Sequence, residues 1–176
     1  MGTEQSKTLE ALCTAIQMEI DGKKFYLKSS ESSGNRLGRE LFQTLAAEED
    51  IHRQKFEGIY KTIEGKKAWP RTDFKPDKGK RLKTLFARAT EAMGANVKAL
   101  TSELDAVKTA MDMENKSYDY YKSRAQAVAF TAEKDFFEVV SGEEREHYLV
   151  LLNYYEYIKD PAGWFVKKER PSLDAG

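Results

Sequence analysis

The chain matches itself when it is shifted by 95 residues without gaps. In the first matching group, Leu9, Ala11, Thr14, Ala15, Met18, Glu19 and Tyr26 fall on Leu104, Ala106, Thr109, Ala110, Met113, Glu114 and Tyr121. In the second, Phe42, Glu48, Glu49, His52, Tyr60 and Ile63 fall on Phe137, Glu143, Glu144, His147, Tyr155 and Ile158. Because the match includes polar residues, it limits the chain to folds built from two copies of one unit.

Long stretches without proline predict four helices, whose apolar residues recur at steps of three and four. The predicted helices cover residues 6–32, 36–64, 103–127 and 131–159. Residues 65–80 hold two Pro and two Gly and predict a connection, followed by a shorter helix near 81–93. The sequence therefore predicts an all-α four-helix bundle over residues 1–160, made of two helical hairpins joined by a crossover at 65–102.

Several local features complete this prediction. Ser102 with Asp105 resembles a capping box for the third long helix, and Thr131 is a candidate N-cap for the fourth. Residues 161–176 are predicted to form a C-terminal tail, which Trp164 and Phe165 pin to the bundle. We expect Cys13 to be a buried small apolar residue.

Composition excludes several classes of protein. The 29 Lys+Arg balance 29 Asp+Glu, so the basic excess of a nucleic-acid-binding protein is missing. The single Cys allows neither an internal disulfide nor a Cys-based zinc or iron–sulfur site. Without a long apolar run or a signal-like N-terminus, we expect a cytoplasmic protein with no membrane partner.

Six polar residues lie on the inward stripes of the predicted helices. Each half contributes a lone glutamate, Glu19 or Glu114, on its first helix. Each half also contributes a Glu-x-x-His motif on its second helix, with residues Glu49, His52, Glu144 and His147. Residues three apart on a helix are neighbours, so one carboxylate and one imidazole can bind the same ion.

Four buried carboxylates would repel one another and would be costly to remove from water. Two divalent cations would neutralise them, and mixed carboxylate and imidazole ligands suit iron or manganese, with zinc a further candidate. This combination is the ligand set of di-iron and di-manganese carboxylate bundles. The sequence therefore predicts metal ligands at Glu19, Glu49, His52, Glu114, Glu144 and His147.

Other interpretations remain open. Acidic residues make up 29 of 176, so an acidic residue often stands three residues before a His by chance. One such motif alone is therefore weak evidence for a metal site. The six residues could also hold a purely structural metal or form a buried polar network without metal. Glu48 and Glu143 also repeat, and their position favours a solvated face or an inter-helix ion pair over ligation.

Two tyrosines, Tyr26 and Tyr121, follow the lone glutamates by seven residues on the same helix face. They are either core-filling side chains or phenols that hydrogen-bond to a ligand or to a bound oxidant. We predict a supporting catalytic role for both.

The segments AIQMEIDGKKFY (15–26), LAAEEDIH (45–52), AMDMENKSYDYY (110–121) and SGEEREHYL (141–149) together resemble the rubrerythrin family of ferritin-like di-iron proteins. The resemblance implies a ferritin-like bundle that binds two iron ions through the six residues. It also implies non-haem reduction of hydrogen peroxide and a homodimer. Dioxygen is the less favoured oxidant in our own hypothesis.

Two departures from the family pattern matter. Typical rubrerythrins carry a rubredoxin domain with paired CxxC motifs, which one Cys cannot supply, so the expected electron source is a separate redox donor protein. Ser117 also stands where rubrerythrins often have an additional Glu. The site is then the plainer six-ligand form shared with ferritin-like oxidase centres, and an iron-binding, ferroxidase or iron-trafficking protein is the alternative function.

Overall fold

The computed structural model describes residues 3–65, 68–70, 74–128 and 130–169. Within these ranges the chain forms six helices and no strand, which confirms the all-α prediction. They are α1 (Thr3–Ser32), α2 (Arg36–Glu64), α3 (Lys80–Met93), α4 (Thr101–Ala127), α5 (Thr131–Lys159) and α6 (Pro161–Glu169). Parts of the predicted crossover and tail, residues 66–67, 71–73 and 170–176, lie outside the described residues.

The bundle consists of two hairpins, α1 with α2 and α4 with α5, and the short α3 packs on α2 and α5. A three-residue turn makes α1 and α2 antiparallel neighbours. In that turn the Asn35 side chain caps α2 by accepting a hydrogen bond from the Gly38 N–H at 2.9 Å. No described helix is both long enough and apolar enough to cross a membrane.

Buried apolar side chains form two clusters that take up opposite ends of the bundle. One contains Phe42 and Leu151, and the other contains Phe56 and Phe137. The helix stretches between these clusters carry the six polar residues predicted from the sequence. The inward stripes are therefore apolar at both ends and polar in the middle.

A second buried polar group lies at one end of the bundle and was not predicted. Glu103 Oε1 accepts hydrogen bonds from the Ser33 hydroxyl at 2.5 Å, from the Asn35 amide at 3.0 Å and from the Tyr154 hydroxyl at 2.6 Å. Gly38 makes room for this network, because a Cβ there would collide with Tyr154, Glu103 and Ser33.

Both capping predictions are wrong. Leu100 precedes α4 and Phe130 precedes α5, and neither makes a side-chain capping hydrogen bond. Helix α4 begins at Thr101, so Ser102 is already inside the first turn. Thr131 is likewise the first helical residue of α5.

The prediction for Cys13 is wrong, and the described part of the predicted tail is helical. Cys13 is exposed, because it lies outside the inward stripe that Leu12 and Ala15 occupy. Residues 161–169, predicted as part of a tail, form helix α6. Trp164 of α6 contacts Tyr157 with ring centroids 5.4 Å apart and contacts Phe86 at 5.7 Å.

Candidate metal centre

The four long helices bring all six predicted residues into one buried layer. Helix α1 supplies Glu19, α2 supplies Glu49 and His52, α4 supplies Glu114, and α5 supplies Glu144 and His147. None of these residues is more than 5% exposed. The helical repeat accounts for this placement, since each residue lies on the stripe that also carries its helix's core side chains.

The six residues form two overlapping groups whose potential ligand atoms lie within 4.8 Å of one another. One group is Glu19, Glu49 and His52; the other is Glu49, Glu114, Glu144 and His147. Glu49 belongs to both groups and so lies between them.

Glu144 also faces both halves of the site. Its Oε1 is 3.2 Å from His52 Nδ1, and its Oε2 is 3.5 Å from His147 Nδ1. The two imidazole rings are nearly parallel, with centroids 5.7 Å apart. The centre therefore has one histidine on each side and a carboxylate that reaches both.

Burial and mutual repulsion give the carboxylates unusual proton affinities. Burial, followed by repulsion from Glu19 and the other carboxylates, raises the pKa of Glu49 well above its ordinary value. Burial also raises the pKa of Glu114 to about 8, although the charge of His147 opposes the shift. Glu144 differs, because the close approach of the His147 and His52 imidazoles outweighs burial and holds its pKa below the usual range.

The histidines respond to the same charges in the opposite direction. Burial lowers the pKa of His52, but the nearby carboxylates of Glu144 and Glu19 more than compensate, and the net pKa is well above 6.5. Burial also lowers the pKa of His147, but the nearby carboxylates raise it by more, and Glu114 makes the largest of these contributions. In the absence of another cation, the site balances its charge with protons.

Several polar atoms at the centre lack a hydrogen-bond partner despite being buried. They are Glu19 Oε2, Glu49 Oε1, both oxygens of Glu144, and the Nδ1 atoms of His52 and His147. Buried polar atoms are nearly always paired, so a cluster of unpaired ones requires an explanation. Oxygen and nitrogen atoms that converge from four helices fit divalent iron or manganese. The cluster can hold metal.

Tyr26 and Tyr121 donate hydrogen bonds across the bundle to carboxylates of the centre. Tyr121 donates to Glu19 Oε1 at 2.5 Å, and Tyr26 donates to Glu114 Oε1. Each tyrosine thus donates its hydrogen bond to the lone glutamate of the other half. Burial, and then the neighbouring carboxylate, raises the pKa of both phenols, so they remain donors.

Glu48 is buried, so the interpretation that it lies on a solvated helix face is wrong. The other interpretation, a pair between two helices, is confirmed for this residue. Its Oε2 lies 2.8 Å from His147 Nε2, so it fixes the ring whose Nδ1 points into the centre. Its repeat equivalent, Glu143, instead accepts a hydrogen bond from the Lys78 backbone N–H at 3.1 Å.

Gly22 is a further residue of the centre that the sequence interpretation missed. A Cβ at this position would lie 2.7 Å from Glu49 Oε2. A glycine inside a helix usually costs stability, so its occurrence on an inward stripe was an available signal. Its repeat equivalent is the half-buried Ser117. Both positions three residues after a lone glutamate therefore carry small side chains.

Comparison with known proteins agrees with this architecture. Searches of curated proteins and of solved structures found no match. The family model described as Rubrerythrin matches residues 10–155, which span helices α1 to α5 and contain all six residues of the centre. The chain belongs to the rubrerythrin family.

Proposed function

We propose that this protein is a di-iron oxidoreductase that reduces hydrogen peroxide. The observation that carries the proposal is the set of unpaired carboxylate and imidazole atoms that converge in the buried layer. Family membership supports iron as the metal. The six residues that would hold the metal are Glu19, Glu49, His52, Glu114, Glu144 and His147. Glu49 belongs to both groups of potential ligand atoms, and Glu144 lies beside both histidines.

Two bound ferrous ions would supply the two electrons that, with two protons, convert one hydrogen peroxide into two water molecules. The chain's own residues hold and orient the ligands for this reaction. Tyr26 and Tyr121 fix Glu114 and Glu19, while Glu48 fixes the ring of His147. The two apolar clusters exclude bulk water from both ends of the centre.

The electrons for repeated turnover require a donor. The 176 residues contain one Cys, so the four cysteines of a rubredoxin-type iron site are not among them. We infer that a separate redox protein reduces the centre. A cytoplasmic homodimer remains part of the proposal.

The test is an anaerobic titration of the apoprotein with Fe(II), followed by stopped-flow mixing with hydrogen peroxide or with air-saturated buffer. We expect saturation at two irons per chain and faster oxidation by peroxide than by dioxygen. Failure to bind iron saturably would contradict the proposal.

One structural feature favours a second candidate, a ferroxidase or iron-trafficking protein. Because Gly22 and Ser117 carry no carboxylate, the first helix of each half contributes a single glutamate to the centre. Preferential oxidation of the two irons by dioxygen would select this function. Assembly into a cage would be needed for iron storage, so a dimer in light scattering would count against storage.

A further inference from the structure

A small cavity leads from the surface to one histidine of the centre. It has a volume of about 140 Å³, and its lining includes Glu48, Ile51, His52, Phe74, Pro76 and Glu143. We call it the His52 pocket. Three other surface cavities in the described part of the chain are lined by none of the six centre residues.

The crossover builds one wall of this pocket and thereby breaks the symmetry of the bundle. Phe74 stands edge-on to the His52 ring, with centroids 5.8 Å apart. Glu143, which the repeat would place opposite His52 as Glu48 is opposite His147, is bonded to Lys78 of the crossover instead. The His147 ring is therefore closed off by Glu48, while the His52 ring borders a cavity.

The size of the pocket limits what can use it. A water molecule occupies about 30 Å³ of liquid, so the pocket has room for a few molecules of that size. Sites for drug-sized organic ligands are larger, about 300–1,000 Å³. The lining also mixes three carboxylates, those of Glu48, Asp77 and Glu143, with the cationic side chains of Lys75 and Arg81. Such walls suit a small polar molecule that can both donate and accept hydrogen bonds.

We propose that the His52 pocket is the route by which a small polar oxidant of the hydrogen peroxide class reaches the centre, with Phe74 and Ile51 as the side chains that limit its size. This inference rests on the proposed function. It adds a direction of approach, from the His52 side, and excludes bulky organic hydroperoxides as efficient substrates.

The experiment changes the width of the pocket from two sides. Phe74→Ala widens it, and Ile51→Trp narrows it at a position that is 43% exposed, where a large side chain leaves the core intact. Ile20→Trp is the matched control, because Ile20 is 39% exposed and lines a different cavity. Metal stoichiometry is measured first in every variant.

Two readouts follow. Azide association with the Co(II)-loaded protein, recorded by visible absorption in a stopped-flow instrument, reports access without turnover. We expect Ile51→Trp to slow it about tenfold, a barrier change of about 1.4 kcal/mol, and Ile20→Trp to leave it unchanged. The second readout compares oxidation of bound Fe(II) by hydrogen peroxide and by tert-butyl hydroperoxide. We expect Phe74→Ala to speed the bulky oxidant selectively.

The outcomes separate the two proposals. Equal azide rates in wild type, Ile51→Trp and Ile20→Trp, with two metals bound in each, would overturn the pocket and leave the di-iron assignment standing. An unchanged preference between the two hydroperoxides in Phe74→Ala would overturn the size limit. A wild-type protein that binds no metal would overturn the proposed function and the pocket together.

Discussion

The Tyr121 hydroxyl donates a hydrogen bond to Glu19 Oε1 at 2.5 Å, from α4 of one hairpin to α1 of the other. The pseudo-twofold axis repeats this relationship between Tyr26 of α1 and Glu114 of α4. Because α1 and α4 run antiparallel, a tyrosine two turns beyond one lone glutamate reaches the glutamate of the opposite half. The two tyrosines therefore tie the hairpins together at the centre itself.

Replacing either tyrosine by phenylalanine should weaken the metal site without removing any ligand. Loss of the hydroxyl leaves a buried carboxylate oxygen unpaired, which costs about 1–3 kcal/mol in the free energy of unfolding. Loss of such an outer partner also lowers metal affinity about 10–100-fold. Urea unfolding and Co(II) titration measure the two effects. Tyr155→Phe is the control, because Tyr155 is half-buried on α5 and is not bonded to the centre. If all three variants had the same stability and the same Co(II) affinity, the hydrogen bonds from Tyr26 and Tyr121 would not support the metal site.

Gly22→Ala should impair metal binding while leaving the fold nearly unchanged. Alanine favours a helix by up to about 1 kcal/mol over glycine, so propensity alone predicts a more stable protein. The new Cβ, however, would lie 2.7 Å from Glu49 Oε2 and displace the carboxylate that belongs to both metal groups. We therefore expect the melting temperature of the metal-free protein to be nearly unchanged and the Co(II) stoichiometry to fall.

Gly58→Ala is the matched control for this substitution. Gly58 also lies inside a helix, and a Cβ there would meet nothing within 4 Å. We expect this variant to be stabilised by about 0.5–1 kcal/mol with full metal binding. If Gly22→Ala also bound two metals at wild-type affinity, the close approach of Glu49 would not depend on glycine.

The sequence was sufficient to predict the bundle and the placement of the six residues on inward helix faces, because both depend on spacing along single helices. Steps of three and four place Glu49, His52 and Phe56 on one face whatever the rest of the chain does. The repeat then identifies the equivalent residues of the second hairpin. Element bounds followed within three residues for the same reason.

Features that depend on contacts between distant segments could not be read in this way. Phe74 reaches His52 only because the crossover folds back over α2, and no periodicity reports that path. The bond between Glu48 and His147 likewise requires the relative rotation of α2 and α5. The capping predictions failed because the N-cap positions of α4 and α5, held by Leu100 and Phe130, lie one or two residues earlier than the predicted caps, and sequence spacing does not locate a helix end to a single residue.

The metal-free protein should lose stability as the pH rises from about 5 to about 8. Glu114 has a pKa of about 8 in the folded protein against an ordinary value of 4.5. Between these values the folded state holds a proton that the unfolded state lacks, so raising the pH favours unfolding. The raised pKa values of His52 and His147 act in the same direction.

Glu114→Gln tests this pH dependence, because glutamine keeps the shape of the side chain and cannot ionise. Urea unfolding of the chelated protein at pH 5, 6.5 and 8 should show a shallower decline in this variant. Glu156→Gln, at an exposed position of α5, should follow wild type. Parallel declines in all three proteins would show that Glu114 does not titrate in this range.

Metal loading should raise the melting temperature, because bound metal stabilises the folded state. At a free concentration of 100 times the Kd, one site contributes about 2.7 kcal/mol. For a chain of this length that corresponds to about 5–10 °C. Scanning calorimetry before and after chelation measures the shift, and Glu144→Gln should abolish most of it. A melting temperature insensitive to both metal and chelator would favour a buried polar network without metal.

Gly38→Ala should lower the free energy of unfolding without changing metal binding, whereas Gly22→Ala should impair metal binding and leave the fold nearly unchanged. A Cβ at Gly38 would collide with Tyr154, Glu103 and Ser33. Hydrogen bonds among these three residues join the turn between α1 and α2 to helices α4 and α5. Overpacking of this kind costs about 1–3 kcal/mol. None of the described hydrogen bonds connects this network to the six centre residues, so metal stoichiometry should remain at the wild-type value. Urea unfolding and Co(II) titration of the two glycine variants would then separate stability from metal binding. A Gly38→Ala protein that is fully stable but cannot bind metal would show that the network and the centre are coupled.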